Sequence, residues 1–372
     1  MLFRSNDTAT TEIYTMVDTL SLHDALPITP VRDLVALARM IRLFRRIRPR
    51  IVHAHTPKGG LLGMLAAFLA RVPVRVYHMR GLPMLGATGL RRLLLRATER
   101  ISCLAAHRVV CVSESMRTIA VASGLCRAEK ALVLARGSGQ GVDAEHRFSP
   151  DRLAPDTRDR TRRRLGIPND APVLGFVGRL VRDKGIIELA GAWQQLRERW
   201  PDLHLLLVGP FESTDPIPPD VTRALRSDPR VRVIGEDWDT PRLYAVMDIV
   251  ALPSYREGFP NVPLEAAAMG LPVVTTRVPG CVDAVEDGVT GLLVPARDVA
   301  ALTETIDKYL QDGELRHRHG QVGRNRVLRD FRPESIWAGV YDLYLDLLMR
   351  RTDVPDSAPD GAAAELFPRA PW

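Results

Sequence analysis

Two glutamates stand eight positions apart in SYREGFPNVPLEAAAMG (Ser254 to Gly270): Glu257 and Glu265, one on each side of a Gly-Phe-Pro turn. A carboxylate can accept two hydroxyl hydrogen bonds from a vicinal diol, so such a pair suits sugars, one acid for a ribose and the other for a hexose. Phe259-Pro260 is expected to lead into a helix near Asn261, with Pro263 tolerated in its first turn. Glu257 then precedes the helix, Glu265 sits on its second turn, and both can face one cleft. Free amides at such a helix start suit an anion or sugar oxygens. The residue types leave a plainer alternative open, in which Glu257 is merely exposed and Glu265 caps something local.

An earlier stretch, VGRLVRDKG, carries Gly178, which allows close backbone approach, and the cations Arg179 and Lys184. Two cations in a strand-to-helix loop can flank a diphosphate, helped by the amides that open the next helix. In a chain with 51 Lys and Arg the same spacing also arises by chance. His53 and His55 share one face of a strand. As a metal pair they lack a third ligand, so one is expected in the core, while His55, with Thr56 and Lys58, reaches out of the strand. His78 reads as a structural strand histidine or a polar contact. The four cysteines show neither a C-x-x-C pair nor metal-ligand spacing and read as reduced thiols.

These residues hang on alternating strands and helices. VRDLVALARMIRLFRRIRP reads as a helix entered at Pro30 and closed by Pro49, followed by RIVHAH as a strand and KGGLLGMLAAFLARV as a buried helix. VRVYHM is a strand, GLRRLLLRATERISCLAA a basic amphipathic helix, and RVVCVS and KALVLA further strands. After a Pro-, Asp- and Arg-rich connection a second series begins: VLGFVG, LHLLLVG, VRVIG, DIVALP, LPVVTT and TGLLVP as strands, with helices including GIIELAGAWQQLRERW and TPRLYAVM between them. Three helical stretches follow Pro295. Such βαβ alternation predicts parallel sheets covered by helices, with ligands at the carboxyl ends of the strands.

The first stretch, MLFRSNDTATTEIYTMVDTLSLHDALPI, has no sustained period. It resembles the conceptual translation of a sequencing adapter, so residues 1–28 are set aside as non-native. No run approaches the length of apolar sequence that a membrane span requires. The net charge is +7, but from Thr29 to Val110 about 16 Arg and Lys face two acids, Asp33 and Glu99. That face suits anionic partners. Arg91, Arg92, Arg96 and Arg100 form a stripe, with Leu93 to Leu95 and Ile101 on or near its other side. This pattern reads as a peripheral membrane contact, or else as a solvated helix face.

In order and spacing, GRLVRDKGIIEL, LPSYREGFPNVPLEAAAMGLPVVTT and DGVTGLLVP resemble the donor domain of the retaining GT-B glycosyltransferases of family 4. IVHAHTPKGGLLGMLAA and GSGQGVD resemble that family's first domain and crossover. The likeness spans roughly residues 30 to 345; YREGFPNV, GCVDAVEDG and RGLP look most like the bacterial branch acting on lipid-linked saccharides. The resemblance implies an α/β GT-B fold, two doubly wound Rossmann-like parallel-sheet domains facing a cleft. The implied layout has a first domain at 29–142, a connection at 143–171 and a donor domain at 172–332. A helix at 333–350 would return to the first domain, and a disordered tail would cover 351–372. It also implies catalytic roles for Arg179 and Lys184, clamping the donor diphosphate, and for Glu257. Gly178, Gly258, Phe259, Pro260, Asn261 and Val262 would contact the donor, and Glu265 its ribose. His55, Lys58 and Arg80 would lie on the acceptor side.

By the same resemblance no cofactor or metal is expected, in keeping with the lack of an Asp-x-Asp. The expected partners are a nucleotide sugar, a UDP-sugar first, a lipid-linked saccharide and an anionic membrane surface, with no nucleic acid. The place expected is the cytoplasmic face of the cell membrane. Two departures stand out. The family's His-Gly is here Arg80-Gly81. The Gly-rich loop after the family's first strand is not found, so the first domain is expected to be truncated and the chain weakly active or inactive. The alternatives are a UDP-sugar 2-epimerase-like enzyme and a catalytically silent protein that binds polyanions or membranes.

Overall fold

The structure, a computed structural model, describes Tyr14–Thr15 and residues 30–351. The expectations for the rest of 1–28, and for the tail beyond Arg351, lie outside the described residues. The chain divides into two compact units: Met1–Cys111 with Ala120–Leu132 and Ala338–Trp372, and Val112–Ile119 with Val133–Trp337.

In the first unit the strands β1 (Tyr14–Thr15), β2 (Ile51–His55), β3 (Val74–Met79), β4 (Arg108–Cys111) and β5 (Ala131–Val133, ending at the unit's edge) lie side by side in chain order. The pairs β1–β2, β2–β3 and β3–β4 are parallel. Helices α1 (Pro30–Ile47), α2 (Pro57–Leu69) and α3 (Gly89–Ala105) connect them, as parallel strands require. The helix α1 starts at Pro30 and stops before Pro49, as its sequence predicts. The glycines of α2 let it settle onto the sheet: a Cβ on Gly60 would stand 2.1 Å from the Tyr77 ring. Helix α4 (Glu114–Ala122), which follows β4, is shared between the two units and is not among the expected elements.

The second unit holds α5 (Thr157–Leu165), β6 (Val173–Val177), α6 (Ile186–Arg199), β7 (His204–Val208), α7 (Pro219–Ser227), β8 (Val231–Gly235) and α8 (Thr240–Tyr244). It continues with β9 (Ile249–Leu252), α9 (Asn261–Ala268), β10 (Val273–Thr276), α10 (Cys281–Ala284), β11 (Gly291–Val294), α11 (Val299–Gln311) and α12 (Gly313–Asp330). The last helix, α13 (Pro333–Arg351), begins here and ends in the first unit. The sheet order is β11-β10-β9-β6-β7-β8, with each pair parallel. Alternate residues enter opposite cores: Leu205 and Leu207 join Phe176 and Trp193 on one face, whereas Leu206 and Val208 join Val177 and Tyr244 on the other. Both faces are apolar because helices cover both.

This division departs from the sequence-derived boundaries, since the second unit already takes over at Val133, inside the expected first domain of 29–142. Residues 143–171 are more than a connection, since Ala144, Phe148, Ile167 and Ala171 fill the core of the second unit. Val112–Ile119 also belongs there, tied by the Ser113 hydroxyl, which donates to the Gly258 carbonyl at 3.0 Å, and by Ser115, which bonds Asp283 through both its amide and its hydroxyl.

Candidate functional site

Strand order in the second unit reverses between β6 and β9: later strands β7 and β8 build outward from β6, while β10 and β11 build outward from β9. The carboxyl ends of two strands at such a switch point diverge, and the crevice between them is where open α/β sheets bind ligands. The loop after β6 carries Gly178, Arg179 and Lys184; the loop after β9 carries Glu257 and leads into α9 with Glu265.

Local packing sets these loops. Gly209, just after β7, has φ +136°, and a Cβ there would fall 1.9 Å from the Gly178 carbonyl oxygen. The Gly178 amide donates to Val208 and the Leu180 amide to Pro210, so the two loops run together. Arg179 is thereby brought to Glu212, with Nη1 to Oε2 at 3.0 Å and Thr214 donating to the same oxygen. Gly185, at φ +73°, is pressed against Pro253, where a Cβ would meet the carbonyl oxygen at 2.0 Å. The Tyr255 amide donates to the Asp183 carbonyl, and Arg256 pairs with the Asp183 carboxylate at 2.8 Å. This clamp joins the two loops.

Lys184 consequently meets Glu257: Nζ to Oε1 is 2.6 Å, and the Ser254 hydroxyl donates to the same oxygen at 2.7 Å. Both partners are largely withdrawn from water, with side chains 19% and 11% exposed. Gly258, Phe259 and Pro260 form the turn, and α9 starts at Asn261 with Pro263 in its first turn, as expected. The Gly258 carbonyl is held by Ser113. Phe259 packs against Phe331 with centroids 5.6 Å apart, and Val262 is half-buried against both cores. Ser138, in the left-handed region at φ +74°, sets its hydroxyl 3.4 Å from Asn261 Oδ1.

Glu265 does not join the Lys184–Glu257 pair; it accepts the Tyr244 hydroxyl at 2.8 Å. Burial raises its pKa, opposed by the Tyr244 hydrogen bond and by the charge of Arg147. The structure thus brings Lys184 and Glu257 into contact, places Arg179 on the same loop with a different acid, and gives Glu265 its own buried tyrosine. Glu212, Ser254, Ser113 and Tyr244 were missed, because nothing local in the sequence marks a partner that only the fold delivers. Glu212 lies in GPFES, the loop that follows β7.

In the first unit His55, His53 and His78 meet. The register of β2 and β3 sets His55 opposite His78, and the ring centroids of His53 lie 4.3 Å from His55 and 5.3 Å from His78. The expectation that the pair lacks a third ligand is therefore corrected: alignment of parallel strands supplies His78, a proximity sequence spacing does not show. Burial, then the charge of Arg80, lowers the His55 pKa to about 4. Burial, followed by the neighbouring rings and Arg80, sets His53 and His78 well below the usual imidazole range, so all three rings are neutral near pH 7. Arg80 Nε donates to His55 Nδ1 at 3.2 Å, and Lys58 is paired with Asp33 at 2.8 Å.

Comparison with known proteins reveals a consistent likeness. A family model for a glycosyl transferase 4-like domain matches residues 12–137, and one for glycosyl transferases group 1 matches residues 157–326. The first match begins within the stretch set aside as non-native. The chain is 35% identical over 312 residues to the capsular polysaccharide biosynthesis glycosyltransferase CapM of Staphylococcus aureus, covering 84% of this chain and 80% of that protein. It is 25% identical over 327 residues to the Escherichia coli UDP-Gal:alpha-D-GlcNAc-diphosphoundecaprenol alpha-1,3-galactosyltransferase, covering 87% and 82% of the two chains. Among solved structures, Anabaena Alr3699/HepE in complex with UDP superposes with a TM-score of 0.71 at 23% identity, covering 83% and 82% of the two chains.

Proposed function

Because this chain belongs to the group 1, family 4-like glycosyltransferases of GT-B fold, we propose that it moves a hexosyl or N-acetylhexosaminyl unit from a UDP-sugar to a lipid-linked saccharide, with retention of configuration. The observation that carries this reading is the switch-point arrangement, in which the loop after β6 presents Arg179 and Lys184 beside the loop after β9 with Glu257. Each cation rests against a carboxylate, Glu212 or Glu257, and an entering diphosphate takes over these charges. As the glycosidic bond breaks, negative charge grows on the leaving diphosphate, and two preoriented cations stabilise it without a metal ion. Glu257, released from Lys184, turns its carboxylate to sugar hydroxyls, and Glu265 accepts the ribose diol.

The relatives support the substrate classes: the Escherichia coli protein is named for a UDP-galactose donor and a diphosphoundecaprenol acceptor, and the Staphylococcus protein for capsule assembly. Retention follows from same-face attack in which a donor phosphate oxygen receives the acceptor proton, so no protein base is assigned. Among the described residues no helix is long and apolar enough to cross a membrane. We place the enzyme at the inner membrane face, docked through α3, whose Leu90, Leu93, Leu94, Ile101 and Leu104 are exposed. The test is transfer from a panel of nucleotide sugars to a polyprenyl-diphosphate saccharide, with the product anomer read by NMR. A retained anomer is expected, with kcat lowered about 10²- to 10³-fold in Arg179→Ala and Lys184→Ala; an inverted anomer, or unimpaired variants, contradict the reading.

A further inference from the structure

We propose that His53, His55 and His78 form a three-imidazole binding site for a divalent transition-metal ion of the zinc class in the first unit. One nitrogen from each ring lies within 4.8 Å of the others. A zinc–imidazole bond of about 2.0–2.1 Å sets tetrahedral ligands about 3.4 Å apart, so closing the site draws these nitrogens together by at most about 1.4 Å. Side-chain rotation supplies that movement, since the paired strands fix the backbones.

The ring nitrogens themselves point to a ligand. His53 and His78 are each 3% exposed, yet His53 Nε2 and both nitrogens of His78 have no hydrogen-bond partner. Buried polar atoms are nearly always satisfied, so orphan nitrogens on two adjoining rings call for an occupant, with one nitrogen of each ring free to ligate it. His53 is already arranged as a ligand. Its Nδ1 lies 2.6 Å from the Tyr344 hydroxyl, and with the proton on Nδ1 donated there, Nε2 is left bare toward its neighbours. An all-nitrogen set with no carboxylate selects Zn²⁺, Co²⁺, Ni²⁺ or Cu²⁺ over Mg²⁺ and Ca²⁺. Three protein ligands leave the fourth position to water or to a substrate atom.

Arg80 opposes the ion. Its Nε donates to His55 Nδ1, and a neutral ring that accepts at Nδ1 carries its proton on Nε2. Coordination through either nitrogen of His55 therefore ends the Arg80 hydrogen bond. Its positive charge also bears on all three rings. Arg80 is thus a built-in competitor, and its removal should strengthen metal binding.

The experiment uses the full, untagged chain stripped with a chelator and titrated with Co²⁺. The expected result is one ion per chain with the intense visible absorption of a four- or five-coordinate site, displaced by Zn²⁺ and unmoved by excess Mg²⁺. His55→Gln and His78→Gln should abolish that spectrum while circular dichroism stays native, and Arg80→Ala should tighten binding by about tenfold. If a histidine variant fails to fold, the spectrum of the unsubstituted chain and the Arg80→Ala shift still decide. A weak, six-coordinate spectrum overturns the proposal, as do unchanged binding in folded histidine variants and weaker binding in Arg80→Ala. The readout is the metal spectrum rather than UDP binding or transfer, so failure of this proposal is distinguishable from failure of the donor assignment.

Discussion

Glu265 is worth more to a nucleotide sugar when ionised, because only the carboxylate offers all its lone pairs to a ribose diol. Burial against Tyr244 raises its pKa from the ordinary 4.5, the hydrogen bond and Arg147 offsetting part of the rise. Acidification should therefore weaken binding of a nucleotide sugar at a pH above the usual carboxylate range. The sugar-esterified diphosphate has no titration of its own there. Affinity should fall roughly tenfold or more as the charged hydrogen bonds are lost. Glu265→Gln should bind weakly at every pH and show no such step; an identical pH profile in the variant would remove Glu265 from the site.

Helix α3 holds a second shifted carboxyl. Glu99, on its buried side, accepts the Tyr77 hydroxyl at 2.7 Å, and burial lifts its pKa from 4.5 to about 7, against the lowering effect of that hydrogen bond. A raised folded-state pKa means the folded chain holds a proton that the unfolded chain releases. The stability that this proton confers is full below about pH 4.5 and lost as pH rises through about 7. Above that range the buried charge costs about 3 kcal/mol. Glu99→Gln keeps an acceptor for Tyr77 without the charge, so urea unfolding should find it more stable than the parent in alkali and equal in acid. Parallel stability–pH curves would refute this. The amphipathic pattern of α3 was legible because its period is local. Its arginines were only half legible: Arg96 and Arg100, though exposed, reach the carbonyls of Ser123 and Gly124, while Arg91 and Arg92 are exposed beside Leu93 and Leu94.

At the scale of the molecule, the strands of both sheets other than β1 were legible because apolar runs bounded by Gly and Pro recur at βαβ spacing. The helix opening at Asn261 was too, since Phe259-Pro260 fixes its entry. What escaped was whatever a crossover brings together: Glu212 on Arg179, Tyr244 under Glu265, His78 beside His53. The exposed leucines and arginines of α3 give a whole-protein prediction, flotation with vesicles rich in anionic lipid. Arg91→Glu and Arg92→Glu should each reduce vesicle binding by roughly fivefold, and equal binding to neutral vesicles would exclude the surface. The donor site is tested most directly by calorimetric titration of the full chain with UDP-glucose and UDP-galactose in the presence of a chelator. Saturable binding of at least one at a single site is predicted, weakened about tenfold or more in Lys184→Ala and in Arg179→Ala. No binding of either sugar nucleotide, binding that demands a divalent ion, or variants that bind as tightly as the parent would contradict it.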